Sequence, residues 1–134
     1  MSMIKNAVAL GVTACMLGGC LVAPYNQSPA ELKADPQKFR EQVSFSMPLE
    51  EFLRAAYMTQ TSCGDSLTFA VSPDRTFAFA TSAIPGLSSM ATVAFAEAKE
   101  EQGKTVVKVW AQNNGFAFSF LKALRQIGSP PKCA

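Results

Sequence analysis

The sequence predicts an α+β domain of two layers, a mostly antiparallel sheet of about five strands covered on one face by two helices. Three observations carry this reading. Beyond Gln42, short runs alternate between apolar and polar or small side chains, the period of a half-buried strand. Turn chemistry built on Pro, Gly and Asp separates those runs. In two segments, one opening at Pro48 and one closing near Ile127, the apolar period lengthens to that of a helix packed along one face.

The expected order is strand, helix, four strands, helix. Ahead of it, Ser28-Pro29-Ala30-Glu31 reads as a capping box with proline at the first helical position, opening a brief helix that Asp35-Pro36 stops. Val43, Phe45 and Met47 alternate with Ser44 and Ser46 as the first strand. Pro48 then opens a helix whose apolar positions Leu49, Phe52, Leu53, Ala56 and Tyr57 recur at helical spacing, with Glu50 and Glu51 at its electropositive end. Gly64 and Asp65 mark its stop. Leu67, Phe69 and Val71 form a second strand, Ser72-Pro73-Asp74-Arg75 a turn, and Phe77 and Phe79 the start of a third, which together make a hairpin. After an irregular connection from Ile84 to Ser89, Val93 and Phe95 alternate with Thr92, Ala94 and Ala96. A turn from Glu100 to Lys104 leads into Thr105 to Gln112, where Val107, Val109 and Ala111 share one face and Val106, Lys108 and Trp110 the other.

The last segment carries two signals. Asn114-Gly115 followed by Phe116, Phe118 and Phe120 reads as a hairpin turn with a returning strand. Ala117, Phe120, Leu121, Leu124 and Ile127 also share one helical face, with Gly128 and Pro130 as a stop, and a helix over about 116–127 is the reading adopted. The whole series is similar in outline to the helix-grip lobes of some envelope-assembly lipoproteins, a likeness of topology that transfers no activity.

Residues 1–19 have a different character. Lys5 precedes an apolar run from Ala7 to Leu17 that would span about 16 Å as a helix, too short to cross a bilayer. A basic start, a short apolar middle and the small residues Gly18-Gly19 are the layout of a secretory signal peptide. The tetrapeptide Leu17-Gly18-Gly19-Cys20 resembles the lipobox of bacterial lipoprotein precursors. The resemblance is confined to this leader and its cysteine. It implies that a diacylglycerol is joined to the Cys20 thiol, that a dedicated peptidase cuts before Cys20, and that the new amino group is acylated, giving a stable membrane anchor. Leu21 is not the aspartate that retains enteric lipoproteins in the inner membrane, so the resemblance further implies the outer membrane, with the domain in the periplasm. The expected organisation is a signal peptide over 1–19, a lipidated N-terminus with tether and short helix over 20–40, and one α+β domain over 41–134.

Composition narrows the function. The 12 Lys and Arg against 10 Asp and Glu leave a formal charge of +2, and loss of Lys5 with the leader lowers it to +1. Nucleic-acid binding needs a clustered basic footprint that this balance does not supply. The chain has no histidine, which removes Ser-His and Cys-His nucleophile activation and the commonest transition-metal ligand. There is no glycine-rich phosphate loop, and the carboxylates fall at helix starts and turns. The reading is therefore not an enzyme, with no cofactor and no metal.

With Cys15 removed in the leader and Cys20 acylated, Cys63 and Cys133 remain in an oxidising compartment, where they are expected to form a disulfide. The alternative, a reactive thiol, requires a neighbour that lowers its pKa, and Asp65 beside Cys63 does the opposite. Phe69, Phe77, Phe79, Phe95, Trp110, Phe116, Phe118 and Phe120 read as core, or as the lining of a sheet–helix groove for a small apolar ligand or lipid. Trp110 is set apart, because it shares a strand face with Lys108 opposite Val107 and Val109. An outward tryptophan beside a cation marks a possible partner contact. The sequence thus points to a non-catalytic adaptor or assembly subunit that binds another envelope protein, with the apolar-ligand binder as the alternative.

Overall fold

A computed structural model describes residues 28–63, 67–85 and 90–128. Along the chain lie α1 (Pro29–Ala34), a single 3₁₀ turn (Pro36–Lys38), β1 (Phe39–Phe45), α2 (Leu49–Cys63), β2 (Ala70–Val71), β3 (Phe77–Pro85), β4 (Met90–Glu101), β5 (Lys104–Ala111) and α3 (Asn114–Arg125). The strands form one antiparallel sheet of five in the order β1-β5-β4-β3-β2. This is the predicted α+β, two-layer arrangement. The chain between β1 and β2, which carries α2, joins opposite edges of the sheet. The β2-to-β5 meander then returns to lie beside β1.

Local chemistry sets the element boundaries. Ser28 and Glu31 cap α1 reciprocally, the Ser28 Oγ accepting from the Glu31 N–H at 3.3 Å and the Glu31 carboxylate accepting from the Ser28 N–H at 2.8 Å. Pro48 has no side-chain acceptor for the start of α2. Glu100 Oε1, reaching across from β4, accepts from the Leu49 N–H at 2.8 Å instead. The β4–β5 turn places Gln102 and Gly103 at φ 53° and 75°, the two positive values that a two-residue type I′ hairpin needs, and Glu101 pairs with Lys104 across it. Asn113 caps α3 by accepting from the Phe116 N–H at 3.0 Å. That cap resolves the double signal of the last segment in favour of a helix, which begins two residues earlier than the adopted reading.

Several sequence expectations shift. β1 starts at Phe39, ahead of the alternating run, because pairing with β5 continues to Trp110 through a bulge at Arg40. Arg40 turns its guanidinium onto the Ala111 carbonyl at 3.0 and 3.1 Å and onto Asn114 Oδ1 at 3.1 Å. Met47 leaves the strand, its carbonyl taken by the Thr105 hydroxyl at 2.9 Å. Within the expected second strand only Ala70 and Val71 pair with β3. Tyr57 is 64 % exposed, since the buried face of α2 runs through Leu49, Phe52 and Ala56 and leaves Tyr57 on its flank.

The main core lies between the sheet and the pair α2 and α3. Its sheet side is made largely of alanine, with Ala78, Ala80, Ala94, Ala96, Ala98 and Ala111 buried alongside Val107 and Val109. The helices supply the bulk through Phe52, Phe120, Leu121 and Leu124. Phe52 sits at the centre, its ring 4.8 Å from that of Phe45 and 5.2 Å from that of Phe69. Small sheet residues let the helices approach closely, and the helix side chains fill the space.

Candidate functional site

Because alanine takes the helix-facing positions of β3 and β4, strand alternation sends Phe77, Phe79 and Phe95 to the opposite, outer face of the sheet. There they join Trp110 and Phe39 in a row across four strands. Successive ring centroids from Phe77 through Phe79, Phe95 and Trp110 to Phe39 are 6.4, 6.4, 6.0 and 5.7 Å apart, within the range of favourable offset and edge contacts. The aromatics proposed for one sheet–helix groove are thus divided. Phe69, Phe116 and Phe120 pack on the helix side, four lie on the outer face, and Phe118 is 72 % exposed on α3.

Helix α1 crosses the middle of this row. Its one buried residue, Leu32, is fully enclosed and clusters with Phe95, Trp110 and Phe79. Lys33, the next residue, donates to Glu97 Oε2 at 2.6 Å and holds its ammonium 5.7 Å from the Trp110 ring centroid. Lys99 approaches the other Glu97 oxygen at 3.3 Å and lies 5.9 Å from the Phe77 ring. Burial acts to raise the Glu97 pKa but is outweighed by the hydrogen bond and charge of Lys33, then by those of Lys99, so the carboxyl is held below its usual range. The result is an aliphatic slot walled by aromatic rings, with a fixed carboxylate beside it.

The expected contact residues are separated by this arrangement. Lys108 is exposed on the outer face and pairs with Glu97 and Gln42 in the sheet register. Trp110 faces away from α2 and α3 as the alternation predicts, but it is only 7 % exposed. The cover that an outward indole on this face requires comes from within the chain, from Leu32 of α1 and from Phe39. The short helix assigned to a tether region over 20–40 is accordingly packed into the fold. Its amphipathic signal was too brief to show which surface it would cover.

Cys20 and Cys133 lie outside the described residues. Cys63 closes α2, and its side chain, like the expected Cys63–Cys133 pair, lies outside the described residues. Among the described residues no group of three or more His, Cys, Asp or Glu side chains is placed to hold a metal ion, and no helix is long and apolar enough to cross a membrane. No protein-family model matches the chain, and neither a curated protein nor a solved structure matches it.

Proposed function

We propose that the chain is a lipid-anchored bacterial envelope lipoprotein whose domain is a non-catalytic adaptor, binding another envelope protein across the outer face of its sheet. The lipobox-like Leu17-Gly18-Gly19-Cys20 supports the anchor. The observation that carries the adaptor role is the aromatic row, which among the described residues is crossed by a six-residue helix alone and is half-exposed at Phe77 and Phe79 and 43 % exposed at Phe39. Adaptor binding needs no titrating nucleophile, in keeping with a chain that has no histidine.

Two measurements test this reading. Cys20→Ala should abolish labelling by a fatty-acid probe in cells, and Cys15→Ala should leave it unchanged; equal labelling of the Cys20 variant refutes the anchor. A photo-crosslinking residue placed at Phe39 or Phe77 should give one discrete crosslinked species, whereas the same residue at Phe118 on the helix side should not. Crosslinking confined to Phe118 would move the interface to the helices.

A further inference from the structure

We propose that the slot filled by Leu32 and Lys33 is a peptide-binding site in which α1 is a resident, displaceable ligand, and that the partner segment it accepts carries an aliphatic side chain followed directly by lysine or arginine. The inference rests on the adaptor reading and names the chemistry of the partner.

The walls of the slot do not depend on α1. Phe79, Phe95, Glu97 and Trp110 stand on β3, β4 and β5, and each of these strands is paired along both edges for at least part of its length. The occupant, by contrast, depends on the slot. A helix of six residues is far below the length that holds together alone in water, so α1 keeps its form because the slot binds it. Its contribution to binding is concentrated in two adjacent side chains. Leu32 enters the aromatic cluster and Lys33 meets a carboxylate whose side chain is 12 % exposed. Those two contacts define what a competing segment must present: with Lys99 on Oε1 at 3.3 Å, it is Oε2 of Glu97, held by Lys33 at 2.6 Å, that offers an acceptor to an incoming cation.

The row also extends past its occupant. Half-exposed Phe77, at one end of the row, lies outside the cluster around Leu32, so a longer segment gains a ring contact there beyond those of Leu32. Displacement has a mechanical consequence as well. At full extension the chain from Cys20 reaches about 28 Å to Ser28, but about 65 Å to Phe39 once α1 and the 3₁₀ turn are released. Binding of a partner would thus lengthen the leash by which the domain hangs from its anchor.

Trp110, the single tryptophan of the chain, reports the slot directly. The chain from residue 20 onward, carrying Cys20→Ser, is compared with the same chain bearing Leu32→Ala and Lys33→Ala. The double variant should emit at longer wavelength, and a synthetic peptide of residues 28–38 should restore the original emission. The peptide should bind the double variant at least tenfold more tightly than the chain with its own α1 intact. Adding Glu97→Gln should weaken the peptide severalfold, and a peptide carrying Leu32→Ser should produce no shift. Failure of the peptide to restore emission, or equal affinity for both chains, overturns the proposal. So does a dimer formed by exchange of α1 between copies, seen as concentration-dependent emission with sedimentation of a dimer. If the double variant loses its circular dichroism, Lys33→Ala alone carries the same comparison. The measurement contains no lipid, so it succeeds or fails independently of the anchor.

Discussion

Beside Phe95, Trp110 is covered by two neighbours that are themselves small or marginal, the single leucine of α1 and the 43 % exposed ring of Phe39. Removing the indole leaves a cavity beneath α1, so Trp110→Ala should cost about 3 kcal/mol in urea unfolding, well beyond the ~0.5 kcal/mol of an uncoupled surface change. Glu97 is the polar counterpart. Its folded pKa lies below the usual 4.5, so its contribution to stability is present above that value and is lost as pH falls through the lower, folded one. Acid titration should therefore release α1 below about pH 4.5, seen as a red shift of Trp110 emission before global unfolding. Glu97→Gln should abolish that early phase. The Asp74 carboxyl is also held low, by the Ser72 hydroxyl and then by the Thr76 hydroxyl and amide, and those bonds serve the β2–β3 turn.

At the level of elements, two helix starts depend on acceptors at very different sequence distance. Asn113 caps α3 from the adjoining residue, whereas Glu100 reaches α2 from a strand formed about fifty residues later. Both deletions should cost about 1 kcal/mol: Asn113→Ala through the orphaned Phe116 N–H, and Glu100→Ala through the orphaned Leu49 N–H. Glu100→Gln keeps an acceptor and should recover much of the loss, which thermal unfolding of the three variants would show. The β4–β5 turn is a third control. Nothing lies within 4 Å of a Cβ built on Gly103, so the expected cost of Gly103→Ala, about 1 kcal/mol, comes from its φ of 75° rather than from a clash.

For the whole molecule, the two faces of the sheet do different work. Among the described residues, the helix side is closed by two long amphipathic helices and the outer side by one six-residue helix, α1. The anchor proposed at Cys20, the α1 cover and the aromatic row follow one another along the chain, so on that proposal release of α1 would change both reach and surface at once. A disulfide between Cys63 and Cys133 would act elsewhere, tying the end of α2 to the C-terminus. Closing that loop is worth about 4 kcal/mol in the chain-entropy model. Cys63→Ser and reductant should accordingly lower the melting temperature by the same amount and not additively. Two reactive thiols in unreduced material would show that the bridge is absent.

Residues 28–128 show how far local signals reach. The capping box of α1, the Leu49–Phe52–Ala56 stripe, the Val107–Val109 face and the order of strand, helix, four strands and helix were all legible, because each is set by contacts among residues close in sequence or by a simple period. The proposed leader rests on a signal of another kind, a linear pattern over residues 1–20 that would be read without a fold. Which face of β3 and β4 turned inward was not legible. Alternation fixes that Phe77 and Ala78 oppose one another, but not which of them faces the helices, since both sides of the sheet end up covered in part. Phe52, Phe120 and Leu124 occupy the helix-side volume and leave room there only for alanine, so packing alone placed the aromatic row outside. The same holds for α1. The sequence by itself determined that Ser28 to Ala34 is a capped helix, while the slot of Phe79, Phe95, Trp110 and Glu97 that receives it exists only once three consecutive strands, all far along the chain from α1, lie side by side and meet it.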